Sequence, residues 1–182
     1  MWGRLYLNKE RRAIIITLEI ERKFVLSAYP DNEIQKGILK MISTYLIEQT
    51  YLAYQPTQQI RVRKIVNIQT GYVKYTHTFK EGSGIIRDEI EYEISKEIYE
   101  QLINMANKQA LIKTRSIWQL SGMNTYIEID QYEQIPLLVA EVEFQNEEEV
   151  DKFTPPNWFG EDVSLDKRLG NYQLWLQVQH SK

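Results

Sequence analysis

Charged residues recur two positions apart in this chain, sorted by sign, inside runs that otherwise read as β-strands. Glu19 and Glu21 are followed by Lys23, and Arg61 pairs with Arg63. Lys80 ends its run, and Arg87, Glu89 and Glu91 share one parity on the next. Lys113 pairs with Arg115, Glu128 with Asp130, and Glu141 with Glu143. Residues i and i+2 of a strand point to the same face. Any single pair reads equally well as a solvated face, because charged side chains are mostly exposed. The set is harder to place on a surface. Like charges side by side repel, and a surface chosen for solubility mixes its signs more freely. Acidic and basic strands sorted in this way make sense if both sets face one cavity that holds ions.

Most of the chain has the period of two expected of strands. Strand-like runs cover Ile14–Leu26, Thr44–Tyr54, Gln58–Asn67, Tyr72–Lys80 and Ile85–Ile94, the last pair joined by a turn at Glu81–Gly84. Leu111–Leu120, Asn124–Tyr132 and Leu137–Phe144 complete the set. Pro30 and Asp31 open a short helix or loop. Ser95 is placed to cap a helix running to Ala106, with Ile98, Leu102 and Met105 on its apolar face. Asn146 and Glu149 mark a helix start that continues to Phe153 and breaks at Pro155 and Pro156. A last amphipathic helix is expected to begin at Ser164 or Asp166. These elements predict one α+β domain dominated by antiparallel strands over residues 18–182, preceded by an N-terminal extension, residues 1–17.

Composition removes several chemistries. With 182 residues and 43% hydrophobic composition the chain has material for one ordinary core. It has no cysteine, so thiolate metal sites are excluded, and with His77 and His180 far apart in sequence a multi-histidine site within one chain is not expected. A metal here would be held by carboxylates, which favours Mg²⁺ or Mn²⁺. The net charge of −3 gives no reason to expect nucleic acid or an anionic membrane as partner. The apolar run Ala13–Leu18 is too short to span a bilayer and lacks a signal-peptide cleavage site. A cytoplasmic location is the expectation, and a homodimer is compatible with it.

Closing the sheet would turn the charged face into a barrel interior. A lumen so charged must be wet and internally paired, because unpaired buried charges are very costly. A complementary ligand carries several negative charges for the Lys/Arg set and brings divalent cations for the Glu/Asp set. A metal–polyphosphate complex meets both requirements, and phosphoryl transfer asks little more than positioning and charge neutralisation.

Glu19-Ile20-Glu21-Arg22-Lys23 matches the E-x-E-x-K signature of the CYTH superfamily, the triphosphate tunnel metalloenzymes. Arg61-Val62-Arg63, Phe79-Lys80, Arg87–Glu91, Lys113-Thr114-Arg115, Glu128-Ile129-Asp130 and Glu141-Val142-Glu143 follow in that family's order. The stretch Phe153–Glu161 and then Asp166-Lys167-Arg168 resembles its short bacterial single-domain members. The resemblance implies an eight-stranded antiparallel β-barrel with flanking helices and a C-terminal helix, hydrolysing a small linear triphosphate with Mg²⁺ or Mn²⁺. It implies that Lys23, Arg61, Arg63, Lys80, Arg87, Lys113 and Arg115 bind phosphate. Glu19, Glu21, Asp130, Glu141 and Glu143 would hold metal. Glu89, Glu91 and Lys113 would serve the reaction, by orienting cations or activating water. A class IV-type adenylyl cyclase, a nucleoside or thiamine triphosphatase, and a non-catalytic polyphosphate binder are the alternatives on the same scaffold.

Other residues receive plainer readings. Trp118, Trp158 and Trp175 are expected in the core. His77 has the parity opposite to Lys80 and should face outward. Arg22 and Lys64 are expected in solvent. Lys167 and Arg168 either reach the tunnel mouth or pair with Glu161 and Asp162.

Overall fold

The computed structural model describes residues 16–83, 85–122 and 125–180. Residues 1–15 of the expected N-terminal extension lie outside the described residues, while Ile16 and Thr17 already belong to the first strand. The strands are β1 (Ile16–Val25), β2 (Leu39–Gln55), β3 (Gln58–Asn67), β4 (Val73–Ser83) and β5 (Ile86–Ile94), then β6 (Leu111–Leu120), β7 (Tyr126–Tyr132) and β8 (Leu138–Glu143). They close into an antiparallel barrel in the order β1-β5-β4-β3-β2-β6-β7-β8. The meanders β2–β5 and β6–β8 are joined where β2 pairs with β6, and β1 closes the ring between β5 and β8.

Two strands outrun their sequence signals. β2 begins at Leu39 rather than Thr44, because Leu39, Lys40 and Met41 continue the ladder against β6 past a register shift between Met41 and Ser43. β4 runs through Glu81–Ser83, the stretch expected to turn, with Glu81 paired to both Gln58 and Asp88. Cross-strand partners on both sides overrode the local glycine signal.

The apolar cores lie outside the lumen and at one end of it. Ile20, Trp118, Ile127, Ile129, Ala140 and Val142 point outward from β1 and β6–β8. Phe153, Trp158 and Phe159 cover that face, as does Ile34 of α1 (Asp31–Gln35). A second cluster seats Leu174, Trp175 and Val178 of α4 (Asn171–His180) on the inward-facing Tyr51, Leu111, Tyr132 and Val139. Trp118, Trp158 and Trp175 are thus packing residues, as expected. Among the described residues no helix is long and apolar enough to cross a membrane.

The helices follow their capping signals more closely than their apolar stripes. Ser95 Oγ accepts from Ile98 N at 3.3 Å and opens α2 (Lys96–Ala106). Asn146 Oδ1 accepts from Glu149 N at 3.0 Å, and Glu149 Oε2 accepts in return from Gln145 N, capping α3 (Glu147–Lys152). The buried face of α2 is rotated from the expected one. Met105 is 82% exposed and Ile98 is exposed too, while Tyr99 packs on Tyr75 with centroids 4.9 Å apart. The larger aromatic surface takes the buried position. α4 starts at Asn171, later than expected, because Asp166 caps only a 3₁₀ turn (Lys167–Leu169) that Gly170 ends.

One corner of the barrel is finished by the chain's last third. β1 pairs with β5 over Ile16–Ile20 and with β8 over Glu21–Val25. Where β5 leaves, residues 160–164 take its place. Val25 N donates to Glu161 O, Gly160 N to Val25 O, Val163 N to Lys23 O and Lys23 N to Ser164 Oγ, all between 2.8 and 3.0 Å. A Cβ on Gly160 would stand 2.3 Å from Val25 O, so no other residue permits this approach.

Candidate active site

Register carries the charged pairs to one side of the sheet. Arg87 lies opposite Glu19, Glu143 opposite Glu21, and Glu141 opposite Lys23. Glu89 faces Lys80, and Arg115 faces Asp130. The side chains enclose a cavity of about 620 Å³. Glu19, Glu21, Lys23, Arg61, Arg63, Lys80, Arg87, Glu89, Glu91, Arg115, Glu141 and Glu143 all line it. Lys113 and Asp130 do not; they sit behind the lining, 1% and 0% exposed.

The signs are not held apart in the folded state as they are along the chain. Lys80 Nζ lies 2.5 Å from Glu19 and 2.6 Å from Glu89. Lys23 Nζ is 2.7 Å from Glu141 Oε1. Arg87 bridges Glu21 and Glu19. Arg115 reaches Asp130 at 2.6 Å and Glu141 at 2.5 Å and also binds Glu128, while Lys113 Nζ binds Asp130. The β3 arginines are slack. Arg61 stands 3.8 Å from Glu89 and Arg63 3.7 Å from Glu91.

Proton affinities follow from this packing. Burial and the adjacent Arg115 bring the Lys113 ammonium down to about 8, against the pull of Asp130. Glu141 resists a burial that would raise its pKa, because Lys23 and Arg115 hold it well below the carboxylate range. Asp130 is held low by Arg115 and Lys113 in the same way. Glu143 behaves oppositely. Burial raises it, and Glu128, Glu19, Glu21 and Glu89 raise it further. It forms no ion pair among the described residues.

The expected metal set is therefore not ready-made. Among the described residues no three acidic or histidine side chains converge closely enough to ligate one ion. Glu19, Glu21, Asp130 and Glu141 are occupied by lysines and arginines. The chemistry of the lining still fits a hard divalent cation: its donors are carboxylate oxygens, and Glu143 sits in an excess of negative charge that a cation would relieve.

Several lining residues carried no charge signal in the sequence. Tyr51, Tyr54 and Gln59 come from β2 and β3, and Ser164 and Tyr172 from the C-terminal segment. Tyr172 stacks on Tyr54 with centroids 3.5 Å apart. Glu128 also lines the cavity, and its shared parity with Asp130 was the available clue. Lys167 reaches the cavity, whereas Arg168 pairs with Asp166 rather than Glu161 or Asp162. His77 faces outward and stacks on Tyr92. Arg22 and Lys64 also lie off the lumen, but each is partly buried and paired, with Asp162 and Glu48 respectively, instead of free in solvent.

Comparison with known proteins agrees with this geometry. Two bacterial proteins named inorganic triphosphatase, from Nitrosomonas europaea and Acetivibrio thermocellus, are each 33% identical to this chain. The alignments cover 88% and 86% of this chain and 98% and 92% of theirs. A crystal structure of an inorganic triphosphatase superposes with a TM-score of 0.59 at 31% identity, covering 90% of this chain and 97% of that one. Residues 17–172 match the model of the CYTH domain, and the chain belongs to the CYTH family.

Proposed function

We propose that this protein is a metal-dependent inorganic triphosphatase, adding water to tripolyphosphate to give orthophosphate and pyrophosphate. The observation that carries this reading is the unequal neutralisation of one lumen. Slack arginines on β3 and an unrelieved carboxylate on β8 lie four strands apart around the ring, facing one cavity. That arrangement suits an elongated polyanion with its counter-cation. The names of the 33%-identical relatives support the same substrate.

In this reading Arg61 and Arg63 take phosphate oxygens first, since they give up the least to do so. Lys23, Lys80, Arg87 and Arg115 exchange carboxylate partners for phosphate as the ligand enters. Glu19, Glu21 and Glu141, thereby released, would join the unpaired Glu143 in holding Mg²⁺ or Mn²⁺. When bound, such an ion supplies charge neutralisation and Lewis acidity at phosphate oxygens. Glu89 and Glu91 orient Lys80, Arg61 and Arg63. Asp130 and Lys113, behind the lining, act through Arg115 and the local field rather than by contact. Water attacks the terminal phosphorus in line, the bridging P–O bond breaks and pyrophosphate leaves. Such a reaction depends on positioning and electrostatics more than on a covalent role for the protein.

Purified protein incubated with tripolyphosphate, ATP or thiamine triphosphate and either metal tests the reading. Orthophosphate should appear fastest from tripolyphosphate and stop on chelation. No release from tripolyphosphate with either metal would overturn it, and cyclic AMP from ATP would replace it with the cyclase alternative.

A further inference from the structure

Over its central span β2 turns only uncharged residues to the lumen: Ile47, Gln49 and Tyr51, opposite Lys113, Arg63 and Arg61. Gln49 is 1% exposed and does not line the cavity, so it is not placed to touch a ligand. Its amide is nonetheless committed at both ends. Arg63 Nε donates to Gln49 Oε1 at 2.8 Å, and Gln49 Nε2 donates to Tyr51 Oη at 3.2 Å. The orientation of the amide is fixed by chemistry. An arginine Nε–H can only donate, so the amide oxygen must face it and the NH₂ must face the phenol. Tyr51, buried by the rings of Tyr172 and Trp175, anchors the far end.

Arg61 supplies the contrast within the same strand. It lines the same cavity, yet its Nε has no hydrogen-bond partner among the described residues. Arg63 is oriented through Nε, which leaves the terminal Nη groups for other partners. The acceptor is neutral, and the carboxylate on the far side of Arg63, Glu91, stands off at 3.7 Å. Lys23, Lys80, Arg87 and Arg115 are instead held in close contact by carboxylates, which cancel their charge as they position them. A neutral acceptor fixes the plane of a guanidinium and leaves its charge available to an anion.

We infer that Gln49 is a positioning residue for anion capture, holding the Arg63 guanidinium towards the cavity through an uncharged acceptor so that its charge remains free for phosphate. Tripolyphosphate as the anion rests on the triphosphatase reading; the positioning role rests on the geometry.

The test measures tripolyphosphate binding by calorimetry in metal-free buffer, and turnover with Mg²⁺, for wild type and variants. Gln49→Glu keeps the shape but supplies a carboxylate that neutralises Arg63. It should weaken metal-free binding about tenfold or more, as expected for losing a charge-assisted contact, and raise KM more than it lowers kcat. Its thermal midpoint should match wild type. Gln49→Leu removes the acceptor and should weaken binding several-fold. In an Arg63→Ala background the same Gln49→Leu change should have no further effect on binding, which a merely structural role would not predict. Wild-type binding by Gln49→Glu, or an undiminished effect of Gln49→Leu without Arg63, would overturn the inference. Binding that weakens as described in a protein without turnover would overturn the triphosphatase reading and leave this one standing. Turnover indifferent to Gln49→Glu would do the reverse, and a wild type that binds no tripolyphosphate would end both.

Discussion

Two walls of the same lumen treat charge differently. On β6–β8, Lys113, Arg115, Asp130 and Glu141 form a closed network in which every member has a partner and Asp130 is fully buried. On β3, Arg61 and Arg63 stand 3.8 and 3.7 Å from their nearest carboxylates. That network is satisfied without a ligand and costly to disturb, and Glu143, at the end of β8, stands outside it. The second wall is left incomplete, and incompleteness in a buried position is what gives a ligand something to add. Close pairing behind the lining, as at Lys113 and Asp130, is thus better read as framework, and loose pairing as the first point of ligand contact.

That contrast can be broken most forcefully at Asp130. Asp130→Ala leaves Lys113 and Arg115 short of a buried counter-charge and should cost about 3–5 kcal/mol, read from the denaturant midpoint. A loss no greater than that from Arg61→Ala would erase the distinction between the walls. Arg61→Ala should keep the fold while lowering kcat/KM for tripolyphosphate about a hundredfold. Full activity in that variant would show that slack pairing does not mark the binding wall.

Acid sharpens the comparison. Asp130 and Glu141 have folded pKa values below their unfolded ones, so their stabilisation is complete above an ordinary carboxylate pKa of about 4 and is lost as pH falls through the folded values. Glu143 has the opposite sign: raised in the fold, it favours folding most below the unfolded value, and that benefit is lost as pH rises through the folded one. Stability measured by urea unfolding should therefore fall as pH is lowered below about 4, where the contributions of Asp130 and Glu141 are lost. The smallest effect on stability is expected at Glu143. Glu143→Gln should raise stability by no more than about 0.5 kcal/mol at pH 7, because Glu143 is exposed and solvent screens the like-charge repulsion it relieves, and should abolish the metal-dependent rate. Unchanged metal dependence would remove Glu143 from the metal-holding set.

The sequence made the lumen legible because a strand's period of two turns spacing directly into facing. Glu19 with Glu21 and Arg61 with Arg63 needed no tertiary information to be placed on one face. What escaped was whatever depends on register between strands distant in sequence. β1 closes the ring between β5 and β8, and only that insertion brings Lys80 to Glu19 and Lys23 to Glu141. The carboxylates expected to wait for metal are consequently engaged by cations. Gln49 was invisible for another reason: a neutral side chain gives no sign to sort, although its influence on Arg63 is electrostatic. The face of α2 was misread because Ile98 and Tyr99 compete for one side, and sequence spacing does not weigh their areas.

The substitution of residues 160–164 for β5 along the end of β1 bears on how the protein can be handled. A chain cut before Gly160 would forfeit more than a tail. It would strip the backbone groups of Lys23 and Val25 of their partners and open an unprotected strand edge in an otherwise seamless ring. Shortened versions would then meet one another along that edge, so self-association, more than loss of catalysis, would be the first symptom of trimming the chain from its C-terminal side.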